Sequence, residues 1–297
     1  MLAEEVRHVA VSRGAFRVGI ARPTFARALE GCRPRDLMPD CESVICFAVF
    51  VGSDYYQRLG LVTHHDGKPF ARPASWLIDS IALAVSQFLF RRGIRSYVVP
   101  DTLETTGSDG LASSPVKLEE RRIVPFSMKL AAFEAGLGVY GRNSTIITPE
   151  HGSQVYFRAI LTDHQFDRYD EPLKGYEPCH GCRLCADLCP AGAIDPSVPP
   201  PQGHDRIRCK AFVFSLPEFS SDPVASRCGL CTDRCPRARL DGFTRGRHYT
   251  LLDHPEEKAR SISSEILESR EFQRRLEDFR RWDVVQTAGQ EAGIRAK

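Results

Sequence analysis

CHGCRLCADLCP, residues Cys179 to Pro190, spaces four cysteines by two, two and three residues and closes on a proline. Gaps of two residues let successive sulfurs converge on one small object with no secondary structure between them. The gap of three and the proline turn the last sulfur away from the first three. A second segment, Cys228-x2-Cys231-x3-Cys235-Pro236, repeats this pattern one cysteine short, and Cys209 lies upstream to supply it. Eight of the eleven cysteines fall between Cys179 and Cys235. The opening, MLAEEVRHVAV, is charged within seven residues and has no apolar run of signal-peptide length, so a cytoplasmic protein is expected. Clustered cysteines in a long chain of that kind point to metal rather than to disulfides.

The first segment matches the bacterial ferredoxin run, in which three thiolates hold one 4Fe–4S cluster and the fourth reaches its neighbour. Two such clusters account for every cysteine of both segments. Cys179, Cys182, Cys185 and Cys235 would hold the first; Cys189, Cys209, Cys228 and Cys231 would hold the second. Tetrahedral zinc on four thiolates is the competing reading, but zinc knuckles rarely use four cysteines in a row at this spacing. Ala191-Gly192-Ala193-Ile194 suits close approach of amide N–H groups to sulfur. Cys32, Cys41 and Cys46 lie far away in the sequence, and Cys46, within an apolar run, reads as a small buried hydrophobe. His180 reads as a surface residue rather than a ligand.

The rest of the chain has the pattern of a mixed α/β core. It is 297 residues long, 42% hydrophobic, and carries a net charge of +2, which makes no electrostatic case for nucleic acid. Its longest apolar stretch, Trp76 to Phe90, contains Asp79 and Gln87 and is too short to span a bilayer. Glu4 to Ser12 reads as a helix and Phe16 to Ala21 as a strand. Ser43 to Val51 is a continuous apolar run, as a strand covered on both faces requires. Tyr55 to Pro73 is polar and reads as a long loop, followed by a helix with Leu77, Ile81, Val85 and Leu89 on one face. Tyr97 to Val99 reads as a strand, Thr102 to Pro115 as a loop, and Phe126 to Ala135 as a helix. Thr145 to Thr148 and Gln154 to Leu161 read as two strands, the second alternating so as to bury one face. The expected domains are 1–172, a cofactor and substrate domain; 173–240, a ferredoxin-like double-cluster domain; and 241–297, a charged helical tail.

Two clusters in series need an acceptor. Gly136-x-Gly138-x-x-Gly141 has dinucleotide-fingerprint spacing, but it follows a helix rather than a strand and fails that motif's context. It reads instead as a glycine-rich loop that lets a flat or bulky ligand approach the backbone. The longer stretch GLGVYGRNSTIITPEHGSQVYFRAILTD, Gly136 to Asp163, resembles a segment that epoxyqueuosine reductases and reductive dehalogenases share. There it runs GLG, an aromatic, G, a basic residue, N, a strand, a Pro, an acidic residue, a Gly, and a strand ending in TD. The cysteine arrangement with an isolated Cys209, the early GIA, and SVICFAVF after Pro39-Asp40 are similar as well. The resemblance spans nearly residues 1 to 240, densely after Glu120 and patchily before.

That resemblance implies a nitroreductase-like α/β core that binds cobalamin beside a ferredoxin-like module. Electrons would pass through the clusters to cobalt, and a small organic substrate would be reduced. It places Tyr140, Gly141, Arg142, Asn143, Thr148, Gly152, Ser153 and Gln154 around the corrin. It also implies an external electron donor such as ferredoxin or flavodoxin. Epoxyqueuosine reductases carry a proton-donating aspartate shortly before the proline that precedes this helix. Here the proline is Pro125 and the matching position is Arg122, whose guanidinium holds its proton too tightly for acid catalysis. The chain therefore reads as a divergent relative with an unassigned substrate. Tyr55, His64 and Arg122, with Tyr56, His65 and Arg72, are the polar loop residues that could face that substrate. Two alternatives stand beside this reading: an electron-transfer or corrinoid-reactivating protein with no substrate of its own, and a flavin-dependent nitroreductase-like enzyme.

Overall fold

The computed structural model describes residues 2–28, 32–50, 64–100, 126–215, 231, 235–238, 266–278 and 280, with the backbone alone at 64–73, 210, 213 and 214. Its centre is a four-stranded sheet, wholly antiparallel, in the order β1-β2-β6-β3. The strands are β1 (Arg17–Ala21), β2 (Ser43–Phe50), β3 (Ser96–Val98) and β6 (Val155–Thr162). As the unbroken apolar run requires, β2 lies inside the sheet and is buried at seven of its eight positions.

The sheet is covered on both faces. One face presents Ile20, Ile45, Phe47, Val49 and Ile160 to helix α1 (Leu2–Val11) and helix α3 (His64–Phe90), which contribute Val6, Ala10, Ile78, Ile81, Val85 and Leu89. The other presents Val44, Cys46, Ala48, Ala159 and Leu161 to α4 (Met128–Glu134) and to Phe25 and Met38, the latter at the end of α2 (Pro34–Leu37). Alternate side chains of one strand thus enter two separate cores, the period-two logic of a pleated strand. Each large aliphatic or aromatic side chain buried there contributes about 1.5–3 kcal/mol. Gly19 of β1 lets α4 end against the sheet: a Cβ there would lie 2.0 Å from the Ala135 carbonyl oxygen.

Three sequence expectations need correction. The segment His64–Pro73 is helical, not loop: α3 runs from His64 through to Phe90. The Leu77–Leu89 face supplies a packed nucleus, and extending an existing helix costs far less per residue than starting one, so polar residues and prolines upstream did not stop it. Strand β6 is buried on both faces over most of its length rather than on one. Arg158 is among its buried residues, its side chain 2% exposed, and it pairs with Asp79 of α3. Finally, Val139–Tyr140 (β4) pairs antiparallel with Ile146–Ile147 (β5) as a separate hairpin. Glycine-rich composition had hidden the first of these two strands.

After β6 the chain carries two short helices, α5 (Leu184–Asp187) and α6 (Arg206–Phe214), and a 3-10 turn at Pro236–Ala238. Ala191, Ala193, Ala211 and Phe212 form a small apolar cluster with Ile266, Phe272 and Leu276 from the C-terminal part. Tyr55 to Thr63 and Thr102 to Pro115 lie outside the described residues. Among the described residues no helix is long and apolar enough to cross a membrane.

Candidate functional site

The β4–β5 hairpin is the joint of the molecule. Its turn is closed by the Gly141 N–H donating to the Thr145 carbonyl (2.7 Å) and the Ser144 N–H donating to the Gly141 carbonyl (2.9 Å). Ser144 takes a positive φ of 59° to make that turn. A Cβ on Gly138 would sit 2.6 Å from the Ile147 carbonyl oxygen, and one on Gly141 2.7 Å from Ile147 Cδ1. These glycines therefore admit the opposing strand of the hairpin, where the sequence suggested room for a ligand.

From this turn three consecutive side chains reach the cysteine-bearing part of the chain. Arg142 donates from Nε to the Cys182 carbonyl (3.1 Å), from Nη1 to the carbonyls of Pro196 and Val198, and from Nη2 to the Cys179 carbonyl (3.5 Å). Its backbone N–H points at Cys179 Sγ, 3.4 Å away. Asn143 donates from Nδ2 to the Cys231 carbonyl (3.0 Å), while its Oδ1 accepts from the Thr145 N–H and hydroxyl. Ser144 Oγ donates to the Pro201 carbonyl (3.3 Å).

A cavity of about 440 Å³ opens between the hairpin and the cysteines. Cys179, Cys182, Cys185 and Cys235 all line it, together with Arg142, Asn143, Thr148, His151, Gly152 and Tyr176. These are the four thiols that the spacing assigned to one set. Burial, and then the neighbouring thiols of Cys179, Cys231, Cys235 and Cys182, push the Cys185 thiol up to about 12. So many sulfurs repel a shared negative charge unless something positive binds among them. Among the described residues no three His, Cys, Asp or Glu side chains meet at a point that would hold a single metal ion.

The second set is described in part. Cys189 Sγ accepts the Ala193 N–H (3.3 Å), and Cys189 and Cys209 both pack against the Ala191–Phe212 apolar cluster. Cys209 and Cys231 share the surroundings of Lys129. Partial desolvation by its neighbours, and then the nearby Arg206, hold the ammonium of the largely exposed Lys129 below its usual range, while these two thiols pull the other way. Cys228 lies outside the described residues.

The remaining pocket candidates surround the same hairpin. Thr148 and Gly152 exchange backbone hydrogen bonds of 2.8 and 3.0 Å, and Thr148 Oγ1 donates to the Gly152 carbonyl. Gly152 takes φ of 58°, a conformation glycine adopts freely. Tyr140 packs its ring 5.5 Å from that of Phe133, and burial raises its phenol. Ser153 Oγ and Gln154 Oε1 are buried and have no hydrogen-bond partner among the described residues. Tyr55, Tyr56 and Arg122 lie outside the described residues, and so do the side chains of His64, His65 and Arg72.

Sequence reasoning passed over three residues here. Tyr176 donates its hydroxyl to the Thr148 carbonyl (3.2 Å), and Arg237 donates to the Pro178 carbonyl (3.4 Å). His151 is held between Phe50, stacked at 4.1 Å, and Phe16, edge-on at 4.5 Å. Only the position of His151 between Pro149 and Gly152 hinted at a shaped turn.

The geometry can be set beside known proteins. No protein-family model matches the chain. An epoxyqueuosine reductase of Bacillus cereus is 38% identical over 131 residues, which are 41% of this chain and 32% of that protein. One from Bacillus subtilis is 31% identical over 137 residues, 44% of this chain and 32% of that protein. One from Atelocyanobacterium thalassa is 28% identical over 218 residues, 67% and 59% respectively. The matches thus span about a third of the length of the first two of these relatives. Among solved structures, an epoxyqueuosine reductase carrying an epoxyqueuosine-modified tRNA-Tyr stem loop superposes with a TM-score of 0.53 at 22% identity, over 86% of this chain and 68% of that one. A catabolic reductive dehalogenase superposes with a TM-score of 0.60 at 19% identity, over 96% of this chain and 36% of that one. The relatives and neighbours come from the two groups that the Gly136 to Asp163 segment pointed to, and the mixed α/β fold is one they share. The tRNA stem loop on one neighbour leaves the expectation against nucleic acid without support.

Proposed function

We propose that this chain is an iron–sulfur reductase that passes electrons through two 4Fe–4S clusters to a cobalamin held at the core and so reduces an organic substrate. The observation that carries this reading is the hairpin turn. The segment that resembles the corrin-binding stretch of the relatives is hydrogen-bonded, through Arg142, Asn143 and Ser144, to both cysteine segments and to the linker between them.

The donor chemistry fits clusters. Cys179, Cys182, Cys185 and Cys235 are spread around one cavity of about 440 Å³, as thiolates embracing a body larger than an ion would be. Cys189, Cys209, Cys228 and Cys231 would hold the second cluster. The fit to a corrin rests on Ser153 Oγ and Gln154 Oε1, since buried polar atoms need partners and the amide edge of a corrin offers them. Tyr140, Gly141, Arg142, Asn143, Thr148 and Gly152 would complete that wall, Arg142 and Asn143 mainly by holding the hairpin in place. When bound, cobalamin supplies the reductive chemistry, and the protein supplies binding, orientation and a dry path. In this reading residues 1–172 form the nitroreductase-like cofactor domain, 173–240 the double-cluster domain and 241–297 the tail, in a cytoplasmic protein served by an external donor such as ferredoxin or flavodoxin. Tyr55 and His64 are the candidates for delivering a proton. Arg122 can orient an anionic group but not donate a proton near neutral pH.

The test is cofactor loading. The full chain, reconstituted anaerobically with iron and sulfide, is expected to take up about eight iron atoms and one corrinoid. Flavin uptake in place of the corrinoid, or uptake of neither, overturns the cobalamin reading. Failure to bind iron overturns the cluster reading. Reduction of a tRNA-borne epoxyqueuosine, compared with that of small halogenated or epoxide compounds, separates the two substrate classes.

A further inference from the structure

Arg142, on the hairpin, and Arg183, within the first cysteine segment, are held in different ways. Arg183 is largely exposed and pairs with Asp187 one helical turn away, a surface arrangement of small energetic weight. Arg142 has no carboxylate within ion-pair distance among the described residues. Asp195 feels its charge only weakly, behind its own hydrogen bonds from Ser197. Instead, all three guanidinium nitrogens of Arg142 donate to backbone carbonyls. Two of these belong to ligand-candidate cysteines, Cys179 and Cys182, and two to the linker, Pro196 and Val198. A guanidinium is planar, keeps its proton and presents several donors in a fixed fork, so it can bridge four carbonyls that a lysine could not span. The same residue's amide N–H faces Cys179 Sγ.

We propose that Arg142 is a positioning residue that clasps the first cysteine segment to the core hairpin and, by keeping a positive charge and an N–H···S bond beside it, sets the reduction potential of the cluster held there. The inference rests on the cluster reading above. Reduction adds one negative charge to a cluster. A fixed cation and amide dipoles aimed at its sulfurs stabilise the reduced form, so they raise the potential. Because Arg142 belongs to the turn that also holds Asn143 on Cys231, this adjustment falls where the cysteine region meets the core.

The experiment is a redox titration of the full, anaerobically reconstituted chain, followed by low-temperature EPR, for wild type, Arg142→Gln, Arg142→Lys and Arg183→Gln. Arg142→Gln is expected to lower the midpoint of one cluster signal by about 59 mV, a tenfold change in its reduced-to-oxidised ratio for one electron. The other signal is expected to stay in place. Arg142→Lys keeps the charge but loses the fork and should shift the same signal by about threefold in that ratio, in the same direction. Arg183→Gln should move neither. Unchanged midpoints in both Arg142 variants at wild-type iron content overturn the inference, and so does an equal shift from Arg183→Gln. If Arg142→Gln takes up no iron, the lysine variant decides, and a wild-type midpoint in it is again fatal. Wild type that binds no iron refutes the cluster reading itself, a result distinct from iron-loaded chains whose potentials do not move.

Discussion

The sheet and the cysteine region are held together by different physics. In β2, seven of eight residues are buried, and their side chains enter two apolar cores built from distant helices. Between residues 173 and 215 few residues are buried, chiefly Ala191, Ala193, Ile194, Ala211 and Phe212, and helix α5 has only four residues. The described cysteines of that region are only half-buried. Turn hydrogen bonds, the Arg142 clasp and a small apolar cluster give it its shape. A region with so little buried area cannot offset the entropy of ordering its backbone, about 1–2 kcal/mol per residue, without further help. The contrast teaches that the sheet carries its own folding free energy, whereas on the proposed cluster reading the cysteine region would depend on what its thiols bind.

If the cysteines hold clusters as proposed, the harshest way to break this contrast is to strip the iron. Chelation with air oxidation of the reconstituted chain is expected to bring amide exchange at 179–189 and 206–214 to near the rates of an open chain. Amides of β2 and β6 should keep their protection. Exchange that accelerates equally in both regions would show that the two do not differ as argued. The reverse perturbation is Phe47→Ala, which empties a fully buried site in the sheet. It is expected to cost about 3–5 kcal/mol in global stability while folded molecules keep their full iron content. Thermal melting with iron analysis of the folded fraction measures both.

The joint can be attacked directly with Gly138→Ala. The new Cβ would lie 2.6 Å from a backbone carbonyl oxygen of Ile147, an atom that cannot swing aside. The expected cost is about 1–3 kcal/mol, smaller than that of Phe47→Ala. Because the hairpin carries Arg142 and Asn143, the variant should also lose iron in parallel. A stability loss with full iron retention would uncouple the hairpin from the cysteine region and contradict the clasp.

Much of this contrast was legible in the residues. SVICFAVF announced a strand covered on both faces because no polar residue interrupts it, and the cysteine gaps grouped Cys179, Cys182, Cys185 and Cys235, which do line one cavity. What stayed hidden depends on long-range partners. Arg158 follows a polar beat in an alternating strand and is buried where Asp79, 79 residues away, meets it. The upstream extension of α3 follows from packing of its far end, which local composition cannot report. The GLGVYG glycines carried the right signal, close approach, but whether the approaching partner is a ligand or Ile147 is decided by the fold. The resemblance placed Arg142 beside the corrin, and a matched position gives no direction to a side chain; the structure turns its guanidinium toward the cysteine segment.

His151 belongs to both regions and sharpens the comparison with the smallest effect. Its ring is gripped by Phe16 and Phe50 of the core, yet it also lines the cavity that the cysteines share. Burial lowers its pKa below the ordinary 6.5, against a weaker upward pull from Glu150. As the pH falls through that ordinary value, the unfolded chain takes up a proton that the folded chain resists. Stability is therefore lost on the acid side and restored above it. His204, lowered by burial in the same way, contributes its own share. His151→Phe keeps the ring contacts without the titration, so its melting temperature should fall less than that of wild type between pH 7.5 and 5.5, conditions chosen about one unit either side of the histidine range. His151→Ala also loses the acid sensitivity but forfeits the ring contacts, about 0.5–1.5 kcal/mol at neutral pH. An acid-side drop in His151→Phe as large as that of wild type would mean that the histidine is hydrated in the folded chain, and that the cavity wall there belongs to the open cysteine region rather than to the packed core.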